Sequence, residues 1–196
     1  STPWSIASIR ASQIDPMSLP AGVILDAAAG SGLQLIAFSK YLKRPALGIE
    51  LDEQVARYCA ANMILNSDDE IQRSLDRVLV GDGCSADSAI STYWSSLRES
   101  GTRAHPPIAM LPIDPARPTD TQNHRIDEMQ PDIKAVLKAW SKHLQLGPRG
   151  PAILLDLSPR LDSVQRAMID GILETTFPGI SRTWEWLSRG GGRIDR

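Results

Sequence analysis

Four acids and two glycines stand at spacings that could hold a ligand. Asp26 ends the apolar run Val23-Ile24-Leu25, and Glu50 ends Ala46-Leu47-Gly48-Ile49. Asp82 follows Arg77-Val78-Leu79-Val80-Gly81, and Asp114 closes the run over 108–113. Between the first two acids lies Ala27-Ala28-Ala29-Gly30-Ser31-Gly32. Glycine adopts backbone angles closed to other residues, and without a Cβ it lets a ligand lie against the main chain. Amides at the start of the helix that follows suit an anionic or electron-rich group. Glu50, eighteen residues past Gly32, is spaced to accept hydrogen bonds from both hydroxyls of a ribose. The combination indicates a nucleoside ligand.

Two classes of nucleoside cofactor use such a turn. A dinucleotide fingerprint asks for a third Gly or Ala where this chain has Leu35, and a pyrophosphate has no use for an acid at Asp26. A cofactor that carries a cationic amino acid is better served by that acid, and S-adenosylmethionine is one. An NAD-dependent oxidoreductase and a non-catalytic module that binds S-adenosylmethionine for a partner remain as alternatives.

The elements that must position these residues alternate. Strands are predicted over 23–27, 46–50, 77–81, 108–113, 152–157 and 183–187. Helices are predicted over 5–14, 33–42, 53–65, 85–97, 133–144 and 161–177. Trp184 and Trp186 lie two apart, so in a strand both indoles would face one side. Strands alternating with helices argue for an α/β fold with a doubly wound, mostly parallel sheet. The ligand crevice of such a sheet lies at the carboxyl ends of its strands, where Asp26, Glu50, Asp82, Asp114 and Ser158 all fall. Asp68-Asp69-Glu70 reads as a capping or exposed loop.

The 196 residues suffice for one sizeable core, and 42% of them are hydrophobic. No apolar run approaches a membrane span. Cys59 and Cys84 form no Cys-x-x-Cys, and the three histidines are scattered, which disfavours zinc and points to reduced thiols in the cytoplasm. The net charge of -2 is unlike a free-standing nucleic-acid binder. Binding of RNA would have to draw on another domain or on Arg182, Arg189, Arg193 and Arg196.

The loop Asp26-x-x-x-Gly30-x-Gly32 resembles the first motif of class I S-adenosylmethionine-dependent methyltransferases. Three further segments occur in the order seen in the THUMP-like group of those enzymes. They are Asp114-Pro115-Ala116-Arg117, Leu157-Ser158-Pro159-Arg160-Leu161-Asp162 and Trp184-Glu185-Trp186-Leu187-Ser188-Arg189-Gly190. Thr2-Pro3, Ile6-Ala7 and Arg10-Ala11 are similar to that group's helix ahead of the first strand. The resemblance covers nearly the whole chain, with Leu33 and Gln34 standing where the group carries Gly and Asp.

The resemblance implies a Rossmann-like sheet of the seven-stranded type, its last strand incomplete. Residues 1–22 would be a helical lead-in over the cofactor site and 23–196 the methyltransferase domain. The start at Ser1 suggests a processed or excised chain, and the group's C-terminal domain is expected to be missing. Asp26, Ala27, Ala29, Gly30 and Gly32 would surround the cofactor. Glu50 would take the ribose, Leu51 would lie beneath the adenine, and Asp82 with Gly83 would meet its amino group. Asp114 would orient or deprotonate the acceptor, and Arg117 would grip a phosphate or carboxylate of the substrate. RNA is the expected substrate, with a base amine as acceptor. Arg117 occupies the place where adenine-methylating enzymes carry a stacking aromatic, which disfavours adenine N6, and neither cysteine is placed for attack on a pyrimidine.

Overall fold

The apolar runs become strands of one sheet in a computed structural model that describes residues 2–67, 69–116 and 125–186. Its strands are β1 (Val23–Asp26), β2 (Ala46–Glu50), β3 (Arg77–Val80), β4 (Ile108–Ile113), β5 (Leu146–Gly147) and β6 (Gly150–Leu155). They lie in the order β3-β2-β1-β4-β6-β5. All neighbours run parallel except β5 and β6, which form an antiparallel hairpin. Strands covered on both faces need no polar alternation. Every residue of β1 and β4 is buried.

Side chains alternate along β1, as a period of two requires. Ile24 joins Met110 beneath α1 (Trp4–Gln13), α2 (Leu33–Leu42) and α3 (Glu53–Asn66), with Ala11, Phe38 and Met63 among the contacts. Val23 and Leu25 join Leu47 and Ile113 on the other face. That face is covered by α5 (Ala86–Glu99), α6 (Ile133–Trp140) and α7 (Ser163–Thr176), through Tyr93, Leu97, Trp140 and Ile169. The chain steps outward from β1 to β3 and then returns to β4 on the far side. The reversal opens a crevice at the carboxyl ends of β1 and β4.

Aspartates start several helices: Asp52 accepts from the Val55 amide, Asp132 from Lys134 and Asp162 from Gln165. Asp69 caps α4 (Glu70–Leu75), accepting from Ile71 and Gln72. The capping role expected of that acidic run is therefore met by Asp69, while Asp68 lies outside the described residues. The helix itself spans only six residues, too few for its period to stand out.

Two expectations need correction. Helix α6 stops at Trp140 because the chain turns to join the sheet, where the Gln145 amide donates to the Ile108 carbonyl at 2.7 Å. The expected strand over 183–187 is not formed by residues 183–186, and Leu187 lies outside the described residues. The approach to this segment is tied to α7 instead: Arg182 pairs with Glu174, and the Gly179 amide donates to Glu174 at 3.0 Å. The two indoles consequently have different surroundings. Trp184 packs against the core, whereas Trp186 is half exposed under the Arg166 guanidinium, 5.7 Å from its ring centre. The sheet therefore has six strands among the described residues, with the small β5 hairpin at its edge. No helix among those residues is long and apolar enough to cross a membrane.

Candidate functional site

Backbone bonds fix the glycine turn before any side chain acts. The Ala29 amide donates to the Ile49 carbonyl at 2.9 Å, and the Gly32 amide to the Ala29 carbonyl at 2.8 Å. Gly30 and Gly32 both take left-handed angles, with φ of 53° and 80°. Their surroundings differ. A Cβ on Gly32 would come within 2.7 Å of the Cys59 sulfur, so this glycine lets α3 approach the loop. A Cβ on Gly30 would meet no protein atom within 4 Å, so this glycine borders open space.

Glu50 grips the same loop. One carboxylate oxygen accepts from the Gly30 amide at 2.9 Å, and the other from the Asp52 amide at 3.0 Å. The sequence assigned Glu50 to a ligand; the fold gives it a second task, holding Gly30 in register with β2. Leu51, the next residue, is 76% exposed and therefore does not serve the core.

Asp26 is buried at the end of β1. Burial pushes its carboxyl up to about 7, the Ala28 amide opposes this by donating to it, and the charges of Asp114 and Glu50 add to the rise. Asp26 thus feels the charges of acids from two other strand ends. Nearby, Gly83 presses on the β1 end so closely that a Cβ would fall 1.8 Å from the Ala27 carbonyl oxygen. The buried Trp140 indole donates to the Gly83 carbonyl at 2.7 Å and holds that contact. Asp82 makes an Asx turn, accepting from the Cys84 amide at 2.8 Å. Ala27 and Ala29 are buried along the same loop.

Asp114 lies at the end of β4, and the Thr2 hydroxyl donates to it. The same hydroxyl lies 3.3 Å from Asp156, which is itself paired with Arg10 from α1. Arg10 and Asp156 have side-chain exposures of 7% and 1%. Sequence reasoning gave no role to Asp156, and it placed Thr2 and Arg10 in the lead-in over the cofactor site without anticipating either of these contacts. The signal was present: Asp156 interrupts the apolar run 152–157, and a charge in such a run must find a partner. Arg117 lies outside the described residues, as do Arg189, Arg193 and Arg196. Burial raises the thiols of both cysteines, Cys59 to about 12, which leaves each a poor nucleophile.

No protein-family model matches this chain, and no curated protein sequence does. Solved structures do match. An S-adenosylmethionine-dependent methyltransferase from Agrobacterium tumefaciens is similar over 90% of this chain and 49% of its own, with a TM-score of 0.51 and 11% identity. The chain thus spans about half the length of that protein. Precorrin-6y C5,15-methyltransferase from Geobacter metallireducens is similar over 89% of this chain and 69% of its own, with a TM-score of 0.50 and 14% identity. An rRNA methylase from Streptococcus thermophilus is similar over 100% of this chain and 93% of its own, with a TM-score of 0.52 and 10% identity. The fold is that of the Rossmann-like methyltransferases. At these identities the likeness is one of fold, and the chemistry must be argued from the site.

Proposed function

We propose that this chain is an S-adenosylmethionine-dependent methyltransferase domain that acts on RNA, with a base amine as the acceptor. The observation that carries the reading is Asp26, a buried carboxyl that feels the charges of Asp114 and Glu50 and lies four residues before Gly30, whose own Cα borders open space. Such a cluster favours a cation, because each added positive charge relieves both burial and mutual repulsion. A pyrophosphate placed there would add repulsion. The residues therefore fit a cofactor with a cationic amino-acid end and a ribose.

In this reading Asp26, Ala27, Ala29, Gly30 and Gly32 cradle the cofactor, Glu50 takes its ribose, and Leu51, Asp82 and Gly83 flank its base. When bound, S-adenosylmethionine supplies a methyl group already activated on a sulfonium. The protein's own share is to hold the acceptor at reacting distance and exclude water. Asp114 orients the acceptor amine or takes its proton, and Arg117 grips a substrate phosphate. The exposed Leu51 and the Thr2 contact on Asp114 support this arrangement, since both lie at the carboxyl end of the sheet. An rRNA methylase is among the structures that share this fold, which is compatible with RNA as the acceptor.

Calorimetric titration with S-adenosylhomocysteine and with NAD tests the cofactor assignment, and transfer of labelled methyl to total RNA tests the substrate. The first ligand should bind, NAD should not, and label should enter RNA. Binding of NAD alone, or labelled protein with unlabelled RNA, would reject the corresponding half of the proposal.

A further inference from the structure

Asp156 is a buried carboxylate that takes no part in the chemistry proposed above. It follows β6, and its side chain is 1% exposed. Two guanidinium nitrogens of Arg10 bond to it, one to each oxygen, with 2.7 Å between Nη2 and Oδ1. A buried ion pair adds little to stability over two apolar side chains of the same volume, so packing alone does not account for this one. Held against a guanidinium, Asp156 accepts hydrogen bonds and has none to give.

A further polar neighbour is the Thr2 hydroxyl, whose oxygen lies 3.3 Å from Oδ2 of Asp156. The same hydroxyl meets Oδ2 of Asp114, the part-buried acid at the end of β4. Thr2 thus stands between two carboxylates, and a hydroxyl carries one hydrogen and two lone pairs. While Asp114 is ionised, that hydrogen serves Asp114. The approach to Asp156 then sets oxygen against oxygen with no hydrogen between them. Once Asp114 carries a proton, its O–H donates to the Thr2 oxygen, and the Thr2 hydrogen turns to Asp156. The row of donors is complete only in that second state.

Resting on the reading that Asp114 takes the acceptor's proton, we propose that Asp156 is a positioning residue for that step and acts through Thr2. As the acceptor nitrogen bonds to the methyl carbon, the carbon–sulfur electron pair returns to sulfur and the N–H proton passes to Asp114. The protonated Asp114 donates to Thr2, whose own hydrogen rotates onto Asp156. No proton travels beyond Asp114, which returns it to solvent when the product leaves. Arg10 keeps Asp156 a carboxylate throughout.

The test removes the second acceptor and keeps the shape, with Arg10→Met and Asp156→Leu together. Single-turnover transfer to RNA should slow about tenfold, the scale of one hydrogen bond gained in the transition state. Thr2→Val should cost as much alone and nothing more when added to this pair, because both changes cut the same row. A wild-type rate in the pair variant, or losses that multiply when combined, overturns the role of Asp156. Thr2→Asn examines the same point with the ion pair intact, since an amide nitrogen donates and cannot accept. It should be as slow as Thr2→Val, and a restored rate overturns the role. A readout apart from turnover is the infrared carboxyl band that Asp114→Asn removes from the ligand-free protein in acid. That band should move to higher frequency in the pair variant, and an unmoved band overturns the proposal. A wild-type protein that transfers no methyl overturns the methyltransferase reading and this role together. An active wild type with an indifferent pair variant removes Asp156 alone.

Discussion

The Thr2 hydroxyl donates to the Asp114 carboxylate, which ties the segment ahead of α1 to the end of β4 across 112 positions of sequence. Thr2 is itself buried, so the contact is sheltered from water. One hydroxyl hydrogen cannot serve Asp114 and Asp156 at once, and the longer approach to Asp156 is the weaker of the two.

Thr2→Val keeps the shape and removes the donor. If Asp114 handles the acceptor, this variant should slow single-turnover methyl transfer about tenfold while leaving the S-adenosylhomocysteine Kd almost unchanged. Thr2→Ser should restore the rate. Asp114→Ala should lose roughly two orders of magnitude, the usual scale for a positioned acid or base. Equal rates in all four proteins would reduce Asp114 to a turn-forming residue.

Asp26 makes both binding and stability depend on pH. Burial first, and then the charges of Asp114 and Glu50, raise its folded-state pKa to about 7, against 3.8 for an ordinary aspartate. The folded protein thus holds a proton that the unfolded chain has released. Stability from this group is full below about pH 4 and is lost as pH rises through 7. Asp26→Asn cannot ionise, so its advantage over the wild type in urea unfolding should grow from pH 4 to 7 and then level off. The plateau should lie at roughly 2–4 kcal/mol. An advantage that stays flat with pH would show that Asp26 is ionised throughout.

A bound cation should draw the same proton off. Titration of S-adenosylhomocysteine at pH 7, in buffers of different ionisation enthalpy, should reveal net proton release, which should diminish as pH rises above 7 and Asp26 ionises in the free protein. Affinity should fall as pH drops below 7, because Asp26 must then ionise to bind. Proton uptake on binding would contradict the placement of the amino-acid end beside Asp26.

The Arg10–Asp156 pair is buried on both sides and joins α1 to the end of β6. Removal of one partner strands the other charge in the interior. Arg10→Gln should therefore cost about 3–5 kcal/mol by chemical denaturation. The double variant with Asp156→Asn should recover part of that loss, since no charge is then left alone. A single-variant cost below about 1 kcal/mol would mean that water reaches the pair.

Two glycines of the site should respond in opposite ways. Gly83→Ala drives a Cβ into the Ala27 carbonyl and displaces the Trp140 hydrogen bond, so its main effect should be a lower melting temperature. Gly30→Ala meets only open space in the fold and carries a left-handed backbone cost of about 1–2 kcal/mol. Its main effect should be loss of S-adenosylhomocysteine binding, because the new methyl group lies where the cofactor is proposed to rest. A reversal of this pattern would exchange the roles of the two residues.

The sequence by itself determined that the sheet is mostly parallel and that acids stand at its strand ends. Unalternating runs such as Ile24-Leu25 and Met110-Leu111 are stable only when covered on both faces, and turn residues punctuate them at regular intervals. Gly30, Gly32, Asp26 and Glu50 were legible for a related reason, since a strand-to-helix turn acts within a few residues and leaves a local signature. Residues 183–186 misled because aromatic alternation favours a strand in isolation, whereas the Arg182–Glu174 pair ties the segment's approach to α7. Only the tertiary structure decided that Thr2 meets Asp114, that Arg10 meets Asp156, that Gly83 abuts Ala27 and that Gln34 is buried with no hydrogen-bond partner among the described residues. Those relationships join residues far apart in the chain or depend on which neighbours withdraw water from a side chain. No local pattern records either, because burial and pairing arise only once α1 and the strand ends have closed on one another.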